Sequence, residues 1–326
     1  MTRRRPSWLA MPACALLMAC GGGVDPVPTS SRSGIGLPAP NSPLVTLRVM
    51  VETGSVDDPA GRNGLNALTA MMIGQGGTGT LSYEELTTAL YPWAASISAQ
   101  YDKEVTTIIG EVHRDHLEPF YEMFRDLIVA PRFDAADFER NRDYLTNAVV
   151  STLRGNDDEE LGKQALNALL YAGHPYEATE MGTEQGLAAI TLEDVRAFHA
   201  ARYTRNNLVI GVAGGYPDGF LERMEADLAA GLPSSEAPDG ELPAPRMLEG
   251  LEVLLVEKDA IATAVSIGFP LAVTRADDDF YPLMVANSYF GEHRTFNGRL
   301  MNQMRGVRGL NYGDYSYIEN FIQDGG

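Results

Sequence analysis

Two side chains near the C-terminal end of the sequence have the types and spacing to act on a carbonyl group. Arg305 closes an amphipathic stretch from Arg299, and Tyr312 opens an alternating one, with Gly306 and Gly309 breaking the chain between them. A guanidinium and a phenol brought together at a helix-to-strand corner can both donate hydrogen bonds to one carbonyl oxygen. The same residues also fit a turn with no chemistry, so the rest of the chain has to decide.

Other polar residues are less suggestive. The histidines are His113, His116, His174, His199 and His293. His113-Arg-Asp-His116 has the spacing of a metal pair, but His113 closes an expected strand and His116 begins an expected helix. His174 precedes Pro175 in a loop, and His199 lies within a helix. Gly74-Gln-Gly-Gly-Thr-Gly79 lacks the Gly-Lys-Ser/Thr of a phosphate loop and follows a helix. Gly211 to Gly215 follows a strand but lacks the dinucleotide-binding spacing. Both glycine runs read as loops. The acidic run Asn156 to Glu160 reads as a helix N-terminus.

The elements that must position these residues come from a 326-residue chain, 44% hydrophobic and 21% charged, long enough for two domains. Its formal charge of -19 argues against nucleic acid, whose phosphates it would repel, and is compatible with neutral or basic peptides. Arg3 to Arg5, the apolar run Trp8 to Ala19 and Leu17-Met18-Ala19-Cys20 resemble a bacterial lipoprotein signal peptide over 1–20, with Cys20 the lipidated residue. The apolar run is too short to span a membrane. This implies a lipid-anchored protein on the periplasmic face of the outer membrane. The Gly/Pro/Ser stretch 21–43 reads as a flexible tether.

A first lobe is expected over 44–232. Leu44 to Glu52 alternates as a strand, and Leu65 to Ile73 is an apolar helix. Ser82 with Glu85 forms a capping box. SISAQYD and EVTTIIGEV alternate as two antiparallel strands. Helices follow over 116–130, 134–154 and 158–171. Thr191 caps another helix, and Asn207 to Ala213 is a strand before a final helix over 218–230. A Pro-rich linker occupies 233–246. The pattern then restarts over 247–326, with an expected strand at Ala264–Phe269, a helix at 279–290, a helix from Arg299 to Arg305 and a strand at Tyr312–Ile318. The fold class is therefore α+β: tandem homologous lobes, each an antiparallel or mixed sheet covered by helices, the second truncated.

The stretch MRGVRGLNY, with Ala130-Pro-Arg-Phe133, His174-Pro-Tyr176 and the run from Thr191 through Tyr203 to Asn207-Leu208, resembles the pitrilysin/insulinase family of zinc metallopeptidases. The resemblance covers about 44–326. It departs at the start, because the family opens with a strand that nothing before Leu44 supplies. Members with activity carry His-x-x-Glu-His on the first helix, with a further Glu on a later one. Aligned on Gly64-Leu65, those positions are Ala67, Ala70 and Met71, and the later helix, Leu145 to Leu153, has no Glu. In two-subunit relatives one chain brings the zinc and the other the Arg/Tyr pair. The resemblance thus implies a zinc-less subunit that binds extended peptides through Arg305 and Tyr312 in a heterodimer with a zinc-bearing partner. No cofactor is then expected in this chain. A non-enzymatic peptide-binding or assembly lipoprotein, and a peptidase with a metal site rebuilt at His113/His116, remain open at this point.

Overall fold

The computed structural model describes residues 34–236, 242–291, 297–319 and 321–322. Cys20, the signal segment and His293 lie outside the described residues.

Chain order is β1 (Ile35–Pro38), β2 (Leu44–Val51), α1 (Leu65–Gly74), α2 (Tyr83–Leu90), β3 (Ser96–Tyr101), β4 (Thr106–His113), α3 (Leu117–Val129), α4 (Ala135–Asn147), a π-helical stretch Ala148–Asn156, α5 (Asp158–Leu170), α6 (Glu184–Ala189), α7 (Leu192–Arg202), β5 (Leu208–Gly214), α8 (Phe220–Gly231), α9 (Phe280–Phe290), α10 (Arg299–Met301) and a second π-helical stretch Asn302–Val307. The expected caps form: Ser82 with Glu85 on α2, and Thr191 with Asp194 on α7.

The sheet runs β1-β5-β2-β4-β3, with β1 parallel to β5 and the other pairs antiparallel. Alternation along β2 puts Val45, Leu47, Val49 and Val51 on one fully buried face. They join Ile108 and Val112 of β4, Leu208, Ile210 and Val212 of β5, and the aromatic face Phe120, Tyr121 and Phe124 of α3 in the main core. Met224 and Leu228 of α8 complete it. A side chain at Gly110 would come 2.8 Å from Phe124 and 2.9 Å from Phe120, so glycine here lets α3 lie close on the sheet.

Two expectations are corrected. The tether over 21–43 ends early, because Ile35–Pro38 adds to β5, register Ile35↔Gly211. All four β1 residues are exposed, so no alternation of buried side chains announces the strand. This strand also supplies the one thought missing before Leu44. In the second lobe, neither Ala264–Phe269 nor Tyr312–Ile318 forms a strand. In the first lobe, β2 is flanked by β4 and β5, whereas among the described residues no strand pairs with 264–269. Val265, Ile267 and Phe269 stay exposed. A strand pattern without a partner ladder leaves its backbone to solvent. The helices of this lobe do form, although Arg299–Arg305 is a short α-turn followed by π-helix.

The expected linker 233–246 lies partly on the first lobe: Arg205 N–H donates to Pro233 O (2.9 Å), and His174 Nε2 bonds Pro243 O (2.7 Å).

Candidate functional site

Helix α1 starts at Gly64, in the left-handed region at φ +104°. The carboxylate of Asp58 accepts hydrogen bonds from the N–H groups of Gly64 (2.6 Å) and Asn66 (2.7 Å). Burial pushes the Asp58 pKa up to about 7, against those two bonds. Every residue of α1 is buried. Ala67 and Met71 belong to an apolar cluster with Leu65, Leu68, Met72, Phe138, Leu145 and Val149, and Ala70 is fully buried beside them. The positions aligned with the metal ligands are thus filled by methyl groups and one thioether. A single thioether does not replace the three or four nitrogen, oxygen or thiolate ligands of zinc. Asn66 Nδ2 is buried here without a partner among the described residues, and it is a donor, which does not ligate a cation. This donor set does not fit zinc.

The histidines have structural surroundings. His113 Nδ1 accepts from the Asp115 N–H (3.3 Å), and His116 stacks on Trp93 at 5.3 Å. The two rings stand 6.5 Å apart. His174 Nδ1 accepts from the Tyr176 N–H (3.0 Å). His199 donates from Nε2 to Ile128 O (2.9 Å), and burial lowers its pKa to about 4. Among the described residues no group of three or more His, Cys, Asp or Glu is placed to hold a metal ion.

Beside α1 lies β3, an edge strand of the sheet. A side chain at Gly74 would sit 3.1 Å from Ala99 N, so the helix passes close to that strand. An edge strand presents a row of N–H and C=O groups to which an extended peptide can add.

Arg305 and Tyr312 do come together. The Gly309 N–H bonds Arg305 O (3.1 Å) and the Leu310 N–H bonds Met304 O (3.0 Å), with Gly309 at φ +61°. This widened glycine stop ends the π-helix and turns the chain back. The Arg305 guanidinium then lies 4.4 Å from the centre of the Tyr312 ring. The contact is a cation–π stack rather than two donors converging on one point. Tyr312 is 84% exposed and leaves the helix end without forming the strand expected of it.

One feature gave no sequence signal. A polar cleft of about 290 Å³ lies between the β3–β4 turn, α5 and the segment after Tyr315, lined by Lys103, Glu160, Lys163, Glu180, Tyr317 and Glu319 among others. Lys103 is only 4% exposed, and its ammonium donates to Tyr176 O (3.0 Å) and Ala178 O (2.8 Å) and pairs with Glu180 (3.2 Å). Burial opposes the charge on Lys163, but hydrogen bonds to Tyr315, Glu159 and Glu160 hold its pKa above the usual lysine value. Asp102-Lys103-Glu104 reads as an ordinary charged hairpin turn, so its burial is set by the tertiary fold alone.

Residues 37–184 match the profile described as Insulinase (Peptidase family M16), and residues 189–325 match Peptidase M16 inactive domain. The chain belongs to the insulinase (M16) peptidase family. It is 23% identical to an uncharacterized zinc protease of Bacillus subtilis, over 90% of this chain and 70% of that protein. It is also 23% identical to a probable beta subunit of the mitochondrial-processing peptidase of Arabidopsis thaliana, over 76% of this chain and 46% of that one. A peptidase M16 inactive domain from Pseudomonas fluorescens has the same fold, with TM-score 0.76 at 24% identity, over 91% of this chain and 71% of that structure. This M16 chain therefore spans only part of the two-lobed proteins it resembles. The two matched regions meet at 184–189, within the first lobe, so the family's division of the chain precedes the Pro-rich linker.

Proposed function

We propose that this chain is the zinc-less subunit of a two-chain M16 peptidase, binding extended peptides and lending Arg305 and Tyr312 to a zinc-bearing partner. The observation that carries the reading is a contrast within one chain. The metal helix is closed by apolar packing at Ala67, Ala70 and Met71, whereas Arg305 and Tyr312 stay in contact at the surface.

In this reading the peptide adds as a strand to the β3 edge. The guanidinium and the phenol donate to a substrate carbonyl as charge gathers on its oxygen, while the metal, the water and the general base belong to the partner. The chain itself holds no zinc. The beta-subunit relative supports a heterodimer in general terms, without identifying the partner. Acylation at Cys20 places the chain on the periplasmic face of the outer membrane.

Its test is reconstitution with a chain from the same genome that carries His-x-x-Glu-His. Tyr312→Phe should lower turnover about 100-fold, the size of effect seen when one such donor is removed, with the complex intact by size-exclusion chromatography. Unchanged turnover would refute the role given to Tyr312. A second reading, a non-enzymatic peptide-binding or assembly lipoprotein, draws on the 84% exposure of Tyr312, whose ring Arg305 meets in a cation–π contact.

A further inference from the structure

The last described residues are bound to the first lobe in the manner of a ligand. Phe321 is 6% exposed and sits in a socket of aromatic rings, 4.3 Å from Tyr176 and 6.1 Å, edge-on, from Tyr171. Leu166, Leu242 and Leu248 pack around them. On the floor lies Glu104, 5% exposed and placed by the β3–β4 turn. Its Oε1 accepts from the Tyr176 hydroxyl (2.6 Å) and its Oε2 from the Ile322 N–H (2.5 Å). Upstream, the Tyr315 hydroxyl reaches Glu159, and Lys163 lies 5.0 Å from the Tyr315 ring centre.

The two anchors of the Phe321–Ile322 step are an aromatic side chain and the N–H of the next residue. Both anchors meet first-lobe residues, with Leu248 of the second lobe packed beside the rings. The socket takes two things together, a planar apolar ring against Tyr176 and Tyr171 and a backbone N–H one residue on, which donates to Glu104. Any extended peptide with an aromatic residue offers both. The cleft of about 290 Å³ beside it, lined by Lys103, Lys163 and Asn167, leaves room for neighbouring residues of such a peptide.

We propose that the Tyr171/Tyr176/Glu104 socket is a peptide-binding subsite for an aromatic residue in an extended chain, and that Phe321 occupies it in cis. The subsite is separate from Arg305 and Tyr312 and does not rest on their role or on a zinc-bearing partner. Phe321 is presented within the same chain, so its binding is intramolecular and its effective concentration is high. A free peptide must compete with it.

The test uses a fluorescent peptide with the sequence of residues 317–322, Tyr-Ile-Glu-Asn-Phe-Ile, titrated by anisotropy against the full chain and its Phe321→Ala variant. The variant should bind this peptide at least about tenfold more tightly than the wild type, and should not bind a control peptide with Ala in place of Phe. Equal binding by wild type and variant, or equal binding of the two peptides by the variant, overturns the proposal. If Phe321→Ala fails to fold by circular dichroism, amide exchange on the wild type replaces it. Saturating peptide should then speed exchange of the Ile322 amide while the Tyr176 amide stays protected, and an unchanged Ile322 rate overturns the proposal.

Discussion

Protonation of His199 in acid should cost this protein stability, and the size of that one contribution follows from its surroundings. The imidazole is buried between Phe133 and Tyr203, 5.3 Å and 4.7 Å away, and donates its Nε2 proton to Ile128 O. Burial lowers its pKa from 6.5 to about 4. Below pH 6.5 the unfolded chain takes up a proton that the folded chain refuses, so stability falls with pH until about pH 4, where both states are protonated. At about 1.4 kcal/mol per pKa unit, the total loss is about 3 kcal/mol. Asp58 works in the opposite sense. Its folded pKa is raised from 3.8 to about 7, so its contribution falls as pH rises across the same window. The raw stability of the wild type therefore mixes both groups. His199→Gln separates them, since a neutral amide can keep the bond to Ile128 O without titrating. Urea denaturation followed by tryptophan fluorescence at pH 7 and pH 4 gives the required difference. The wild type should lose about 3 kcal/mol more than the variant between those two values. A difference between the two proteins that stays constant within about 0.5 kcal/mol would refute the reasoning, because Asp58 is common to both.

Two further predictions concern the core and the N-terminus. Gly110→Val pushes a branched side chain into Phe120 and Phe124 and should cost about 1–3 kcal/mol by denaturant titration; no loss would show that α3 can move away. Cys20→Ser should abolish acylation and shift the protein from the membrane to the soluble fraction on expression in a Gram-negative host; retention in the membrane fraction would contradict lipid anchoring.

The parts of the fold that could be read in advance are those where one face is buried. β2 and β4 alternate because the inner face meets α3, and the boxes at Ser82 and Thr191 announce their helices. β1 was hidden because none of its side chains is buried. The strands expected at 264–269 and 312–318 carry the right pattern, but a strand forms only where a neighbour completes its ladder. At the candidate site, the apolar run of α1 and the spacing of Arg305 and Tyr312 were legible as residue types. The stack between them and the burial of Lys103 and Glu104 were not, since long-range packing decides which charges leave water.

The proposed zinc-less subunit contributes peptide contacts but no metal of its own. The purified protein, loaded with zinc and desalted, should contain well under one zinc per chain by inductively coupled plasma mass spectrometry. It should also leave unstructured peptides uncleaved. One tightly held zinc per chain, together with peptide cleavage abolished by a chelator, would contradict it.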